Sequence, residues 1–412
     1  MKYGLIGEHL AHSFSKEVHA LLSDYEYELR EIPSEELDAF MKKADFKAIN
    51  VTIPYKEKVI PYLSFISPEA KKIGAVNTIV NRGGKLYGYN TDFFGLGSLI
   101  NKMRLSLKEK KTVILGTGGT SKTAYAVAES LGASPIITVS RSRKDGAIDY
   151  EELMREHTDA SIIINTTPVG MYPDNSSTPI DISPFCKLEG VIDAIYNPIR
   201  TNLVLDALER GIKAEGGLYM LVAQAVYASE IFLGKKYPLE KLKKIFNKIK
   251  RKKENIVLIG MPACGKTTLS NLLSKELSRV VADTDKMVVS TRKKSIPEIF
   301  QSEGEYAFRD YESAEIANIS LKNNLVIATG GGAILRKENV KMLKQNGVLF
   351  FIDRPYEKLI PTVDRPLAQS IEDIKKRYDE RYDIYVGAAD YVIDADDLPP
   401  NNVKKIMGVF YK

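Results

Sequence analysis

The sequence predicts an α/β fold in two folding units, and three observations carry that expectation. Apolar, strand-like runs alternate with helical stretches almost throughout, the pattern of parallel sheets covered by helices. Two glycine-rich turns, GTGGTS from Gly116 and GMPACGKTT from Gly260, each follow an apolar run and precede a helical one. At 412 residues the chain is longer than one hydrophobic core usually serves. Two such turns this far apart imply two nucleotide sites.

Composition narrows the class. Hydrophobic residues make up 44% and charged residues 27%, ordinary values for a soluble globular protein. Only Cys186 and Cys264 are present, which excludes a disulfide framework and fits the cytosol. The start MKYGLIGEHLAHS lacks the apolar core of a signal peptide, and no apolar run reaches membrane-spanning length. The net charge of +6 is local: residues 235–253 hold ten Lys and Arg against one acid, so the remainder is net acidic. In that segment Leu239, Leu242, Ile245, Phe246 and Ile249 recur at helical spacing, which predicts an amphipathic helix with a solvated lysine face. No groove-reading motif accompanies it, so neither nucleic acid nor membrane is expected as a partner.

In chain order, residues 1–250 are expected to form the first unit, with a substrate half in 1–102 and about 220–250 and a nucleotide half in 103–219. The boundary falls in KIKRKKEN, residues 248–255, and residues 254–412 form the second unit.

In the first unit, GTGGTSK follows the strand KTVIL and opens the helical stretch TAYAVAESLG, the context of a Rossmann-type dinucleotide fold. Gly116, Thr117, Gly118, Gly119 and Thr120 are its candidate cofactor residues. After the next strand, where an NAD enzyme carries an acid for the ribose 2′-hydroxyl, stand Ser140, Arg141, Arg143 and Lys144. Guanidinium groups suit a 2′-phosphate, which favours NADP(H). Ahead of this half, Lys56 and Asp92 are the ionisable pair suited to proton transfer. A carbonyl under reduction develops alkoxide charge, which an ammonium aimed by a carboxylate can protonate.

Eight motifs, HSFS, NVTIPYK, AVNT, YNTD, GTGGTS, INTTPVGM, DAIYNP and GGLYMLVAQ, stand in an order that resembles shikimate dehydrogenase over about residues 1–250. The resemblance implies that Ser13 and Ser15 bind the substrate carboxylate and that Thr52, Asn77, Asp92 and Gln224 meet its hydroxyls. It makes Lys56 and Asp92 the catalytic pair, and puts Tyr196 beside the substrate and Gly217 near the nicotinamide. Lys16 replaces the usual proline after HSxS, and Ser140 replaces the usual Asn before Arg141.

In the second unit, GMPACGKT fits G-x-x-x-x-G-K-[ST] without a mismatch, between the strand-like ENIVLI and the helical TTLSNLLSKELS. Backbone N–H groups there can converge on phosphates. Gly260, Ala263, Cys264, Gly265, Lys266, Thr267 and Thr268 are expected to cradle ATP, with Lys266 on the β- and γ-phosphates and Thr267 on Mg²⁺. VVADTD supplies Asp283 and Asp285, and Arg309, the glycines of ATGGGA, Arg365 and Arg381 follow. This ordered set resembles shikimate kinase over about residues 254–412. The resemblance implies that Asp285 contacts the acceptor hydroxyl as base and that Arg309 and Arg381, with the N–H groups of Gly331 and Gly332, hold the shikimate carboxylate. It places Arg365 in a lid and Asp283 near Mg²⁺. Asp353, ending VLFFID, is a rival metal carboxylate by spacing alone.

Together the resemblances imply reduction of 3-dehydroshikimate with NADPH, then phosphorylation of the shikimate 3-hydroxyl with ATP and Mg²⁺. Two alternatives stand beside this reading: a metabolite sensor built from retired catalytic domains, and an NAD-dependent quinate/shikimate oxidoreductase fused to a small-molecule kinase. The sensor should have lost residues such as Lys56, Asp92, Lys266, Thr267, Asp285 and Arg309, and all are present. Oligomeric state is not specified by the sequence.

Overall fold

The computed structural model describes residues 1–10, 14–359 and 371–411. Its contacts divide the chain into two units, one of Met1–Asn197 and Thr201–Ile249, the other of Lys250–Lys412 with the short tract Pro198–Arg200.

The first unit holds two sheets. One contains β1 (Tyr3–Gly7), β2 (Glu28–Glu31), β3 (Ala48–Val51), β4 (Phe65–Ile66), β5 (Thr78–Arg82) and β6 (Lys85–Tyr89), in the order β2-β1-β3-β5-β6-β4. β1 runs parallel to β2 and β3, while β5 is antiparallel to both β3 and β6. The β5–β6 hairpin turns on Gly83 and Gly84, whose φ values of 61° and 86° are those a two-residue hairpin loop needs and side chains resist.

The other sheet is wholly parallel: β7 (Thr112–Leu115), β8 (Ile136–Val139), β9 (Ile162–Asn165), β10 (Gly190–Asp193) and β11 (Lys213–Glu215), in the order β11-β10-β9-β7-β8. The chain goes outward from β7 to β8, then crosses back to lay β9 on the opposite side of β7. Ligands bind such sheets at the carboxyl ends of the strands flanking this reversal. Gly116 stands at one of those ends and Thr166 at the other.

The helices Thr91–Lys102 and Leu218–Leu233 pack closely because Gly95 has no side chain. A Cβ there would lie 2.8 Å from the Met220 carbonyl oxygen and 3.0 Å from Gln224 Cβ. This contact brings Asp92 and Gln224 towards one cavity. The basic segment is the helix Leu239–Lys253. Leu242, Ile245, Phe246 and Ile249 enter the core with Leu218, Tyr219 and Val222. Leu239, expected on the same stripe, is instead 54% exposed, because it opens the helix ahead of the turn that meets the core.

The second unit is built on one parallel sheet of β12 (Asn255–Ile259), β13 (Val280–Asp283), β14 (Leu325–Ala328), β15 (Gly347–Asp353) and β16 (Tyr391–Asp394), in the order β13-β14-β12-β15-β16. Its central strand is buried at every position, as expected of a strand covered on both faces. The Gly260 turn leaves β12, Asp283 ends β13 with Asp285 in the first turn of the helix Thr284–Arg292 that follows, and the glycine triplet follows β14. Three groups of expected site residues thus meet at the carboxyl ends of three adjacent strands. Among the described residues no helix is long and apolar enough to cross a membrane.

Candidate active sites

The first site is a cavity of about 440 Å³ lined by residues that include Ser15, Thr52, Lys56, Asn77, Asp92, Thr120, Tyr196, Gly217 and Gln224. Ser13 lies outside the described residues. Lys56 follows a buried anchor: Tyr55 is fully enclosed and its hydroxyl donates to the Ile32 carbonyl. The Lys56 carbonyl in turn accepts from Val76 N–H at 2.8 Å. Asp92 occupies the first turn of its helix, where the dipole favours an anion. Lys56 Nζ donates to Asp92 Oδ2 at 2.5 Å, and both side chains are partly buried, so the ammonium is held and aimed.

Around this pair the polar groups are fixed by one another. Asn77 Oδ1 accepts from Thr91 N–H at 2.7 Å and from Thr78 Oγ1 at 3.0 Å, which orients its amide. Asn50 Nδ2 donates to the Asn77 carbonyl at 3.1 Å, and Tyr27 donates to Asn50 Oδ1 at 2.7 Å. Gln224 Nε2 donates to the Leu221 carbonyl at 3.0 Å. Burial raises the pKa of the Tyr196 phenol, keeping the hydroxyl protonated. Asn50 also lines the cavity and was not singled out from the sequence, although it opens the motif NVTIPYK.

The nucleotide turn adjoins this cavity through Thr120. Gly116 has φ of 106°, and a Cβ on it would lie 2.8 Å from Thr166 Oγ1, so glycine is required for both reasons. Gly118 and Gly119 face open space at the start of the helix Gly119–Ser130, which has no side-chain cap. Those exposed N–H groups suit a pyrophosphate. Gly217 has a different necessity: a Cβ would meet the Ala194 carbonyl oxygen at 2.1 Å. In the basic turn, Arg143 Nε donates to Asp149 Oδ2 at 2.7 Å and its guanidinium lies 3.3 Å from Glu152. Arg143 therefore braces the turn. Arg141 is exposed, and Ser140 Oγ pairs with Ser142 Oγ at 3.2 Å.

The second site is a cavity of about 610 Å³ that gathers Ala263, Gly265, Lys266, Thr267, Thr268, Asp283, Asp285, Arg309, Gly331, Gly332 and Arg381. Arg365 lies outside the described residues. Lys266 is buried and its ammonium donates to the carbonyls of Gly260 at 2.8 Å and Met261 at 2.9 Å, holding the loop around it. Cys264 is buried in the loop, with Sγ 3.7 Å from Lys266 Nζ. Thr267 Oγ1 lies 3.4 Å from Asp283 Oδ2. A hydroxyl beside one carboxylate fits Mg²⁺, which keeps waters and phosphate oxygens for its other positions. Among the described residues no cluster of three or more His, Cys, Asp or Glu could hold a metal. Asp353 does not line the cavity; its oxygens accept from Tyr378 and Tyr382.

Each glycine of the triplet has its own reason to lack a side chain. A Cβ on Gly330 would lie 2.2 Å from Glu312 Oε1, on Gly331 2.8 Å from Pro262 Cδ, and on Gly332 2.2 Å from Arg309 Cζ. Arg309 therefore lies against the triplet, held by Glu312 at 2.7 Å and Glu305 at 3.0 Å. Burial pushes the Glu312 carboxyl up to about 7 against the pull of Arg309, and Asp285 adds to the rise. Arg381 donates to the Gly331 carbonyl at 3.3 Å, and the one hydroxyl proton of buried Tyr385 is shared between the carbonyls of Gly260 and Gly331, joining the phosphate turn to the triplet. Glu312, Tyr385 and Arg377, which also lines the cavity, were missed from the sequence. Glu312 was findable, three residues after Arg309 on one helix.

Fold and sites define an enzyme of two nucleotide-dependent units, an oxidoreductase followed by a P-loop phosphotransferase. The family model for the shikimate dehydrogenase substrate binding domain matches residues 5–79, and that for shikimate kinase matches residues 262–410. A shikimate dehydrogenase (NADP(+)) of Clostridium beijerinckii is 40% identical over 245 residues, covering 56% of this chain and 91% of its own. Among solved structures, a chorismate mutase/shikimate 5-dehydrogenase fusion protein from Clostridium acetobutylicum matches with TM-score 0.57 and 38% identity over 60% of this chain and 96% of that one. A Thermus thermophilus shikimate 5-dehydrogenase in complex with NADP(H) and shikimate matches with TM-score 0.55 and 26% identity, over 60% of this chain and 99% of that one. The chain belongs to the shikimate dehydrogenase family and carries a shikimate kinase domain after it.

Proposed function

We propose that this chain performs two successive reactions on one ring oxygen: reduction of 3-dehydroshikimate to shikimate, then phosphorylation of the new 3-hydroxyl. The observation that carries the reading is that each cavity brings a residue of a nucleotide turn together with candidate acid–base groups. Thr120 shares a cavity with Lys56 and Asp92, and Lys266 shares one with Asp285. NADPH would supply hydride to the first site, and ATP with Mg²⁺ would supply the phosphoryl group to the second.

In the first site Lys56 Nζ gives a proton to the oxygen as it gains negative charge, and Asp92 holds and directs the ammonium. Ser15 would take the substrate carboxylate, while Thr52, Asn77, Asp92 and Gln224 would meet ring oxygens. Gly217 would leave room for the nicotinamide, and Tyr196 would close the substrate side. In the second site Lys266 would turn from the loop carbonyls to the phosphates, and Thr267 and Asp283 would hold Mg²⁺. Asp285 would receive the proton of the attacking hydroxyl, with Arg309, Arg381 and the triplet N–H groups clamping the carboxylate.

One reaction tests the whole reading. The protein is supplied with 3-dehydroshikimate, NADPH, ATP and Mg²⁺ and scored for shikimate 3-phosphate. Omitting ATP should stop product formation at shikimate, and omitting NADPH should leave the substrate unreacted. Formation of no shikimate, or of no phosphate ester from added shikimate, would remove the corresponding half of the proposal.

A further inference from the structure

The helix Ile371–Ala388 carries two rows of side chains with different neighbours. Tyr378 and Tyr382, a turn apart, donate to the two oxygens of Asp353 at 3.3 Å and 3.1 Å, and their rings lie 5.2 Å apart. Asp353 ends β15 and is paired in register with Asp394 of β16, so this clasp ties the helix to the sheet. Arg377 and Arg381 each precede one of those tyrosines, and both line the phosphotransfer cavity. Neighbouring helix positions differ by about 100° in azimuth, so fixing the tyrosines on Asp353 also fixes the direction of the arginines.

Arg381 is accounted for by its bond to Gly331 and its place in the carboxylate clamp. Arg377 is not. Among the described residues its buried Nε has no hydrogen-bond partner. Burial, and then the positive charge of Arg377, lower the pKa of Arg381. Two guanidinium groups so placed favour an anion between or beside them. The clamp already assigns Arg309 and Arg381 to the carboxylate. A phosphoryl group in transfer spreads charge over three oxygens, and the planar fork of an arginine matches such oxygens.

We propose that Arg377 is a ligand of the phosphoryl group transferred in the second site, aimed there by the clasp of Tyr378 and Tyr382 on Asp353. The inference rests on the kinase reading above. Steady-state phosphorylation of shikimate by the full chain, with ATP and shikimate varied separately, tests it. Arg377→Ala should lower kcat by about 10²-fold, the usual worth of one donor to developing charge, with KM for shikimate nearly unchanged. Arg377→Lys should recover part of the loss by restoring the charge without the fork. Asp353→Asn, which leaves Arg377 intact, should lower kcat in the same direction but less. Kinetics of Arg377→Ala within twofold of the native chain, or a loss confined to KM for shikimate, would overturn the inference. A loss that Arg377→Lys does not relieve at all would also overturn it, since that is the signature of damaged packing. A native chain unable to phosphorylate shikimate would instead sink the kinase reading itself.

Discussion

Arg141 and Arg143 are two residues apart, yet the structure gives them different work. Arg143 is engaged by Asp149 and Glu152, whereas Arg141 is exposed beside the nucleotide turn. If the 2′-phosphate is read by Arg141, Arg141→Ala should raise KM for NADPH about tenfold and leave KM for NADH nearly unchanged, roughly the worth of one charged hydrogen bond. Arg143→Ala should move both constants together by loosening the turn, and equal effects of the two substitutions on NADPH would contradict this division. Asp193 and His19 make a second contrast. Burial raises Asp193 from 3.8 to about 6 and lowers His19 from 6.5 to about 3. On acidification from pH 6 to 4 the unfolded chain binds a proton at His19 that the native state refuses, which destabilises the fold. Over the same range the native state has already bound a proton at Asp193 that the unfolded chain takes up only near 3.8, which stabilises it. The two trends oppose each other. Asp193→Asn keeps the bonds from Asn165 and Ile195 and removes the second trend, so it should gain on the native protein as pH rises from 4 to 6, by about 1.4 kcal/mol per pH unit, and hold that gain above 6. Urea midpoints of the first unit, measured against pH, would show it, and a constant difference across this range would refute it.

Among the structural elements, the phosphate turn after β12 departs from a backbone ideal at one place. Ala263 has φ of 67°, a left-handed conformation that costs a residue with a Cβ about 1 kcal/mol or more. Ala263→Gly should therefore be neutral or stabilising by up to about 1 kcal/mol, because relief of that strain is offset by the greater freedom of glycine in the unfolded chain. A clear loss of stability in the second unit would show that the Ala263 methyl group packs usefully. The turn itself was legible because its chemistry demands fixed residue types at fixed spacing: glycines where the chain bends, then Lys266 and Thr267 at the helix start. The helix Ile296–Ser320 was not legible in the same way. Gly304, with φ of 87° and ψ of 169°, breaks its regular path, and the segment beyond this break brings Arg309 to the cavity with Glu312 behind it, paired to its guanidinium.

For the molecule as a whole, each unit has its own cavity, one lined by Thr120, Lys56 and Asp92 and the other by Lys266 and Asp285, and the proposed reactions use them separately. Lys56→Ala should lower dehydroshikimate reduction about 10²- to 10⁴-fold and leave phosphorylation of added shikimate near the native rate. Lys266→Ala should do the reverse, and loss of both activities in either folded variant would defeat the independence of the sites.

The sequence by itself determined the class of each unit, both nucleotide turns and most of the side chains that surround them, because phosphate binding, hydride-linked proton transfer and carboxylate clamping each require particular residues in a particular order. Tertiary structure alone decided which of the similar groups near a site reach it. Asp353 and Asp283 both end strands, but one is bound by two tyrosine hydroxyls and the other stands beside Thr267. Arg377 falls in no motif, and Asn50 shows its part only through Asn77 and Tyr27, partners brought near by strand pairing and packing. Such roles depend on direction and burial, which arise when separate segments meet and have no fixed spacing along the chain.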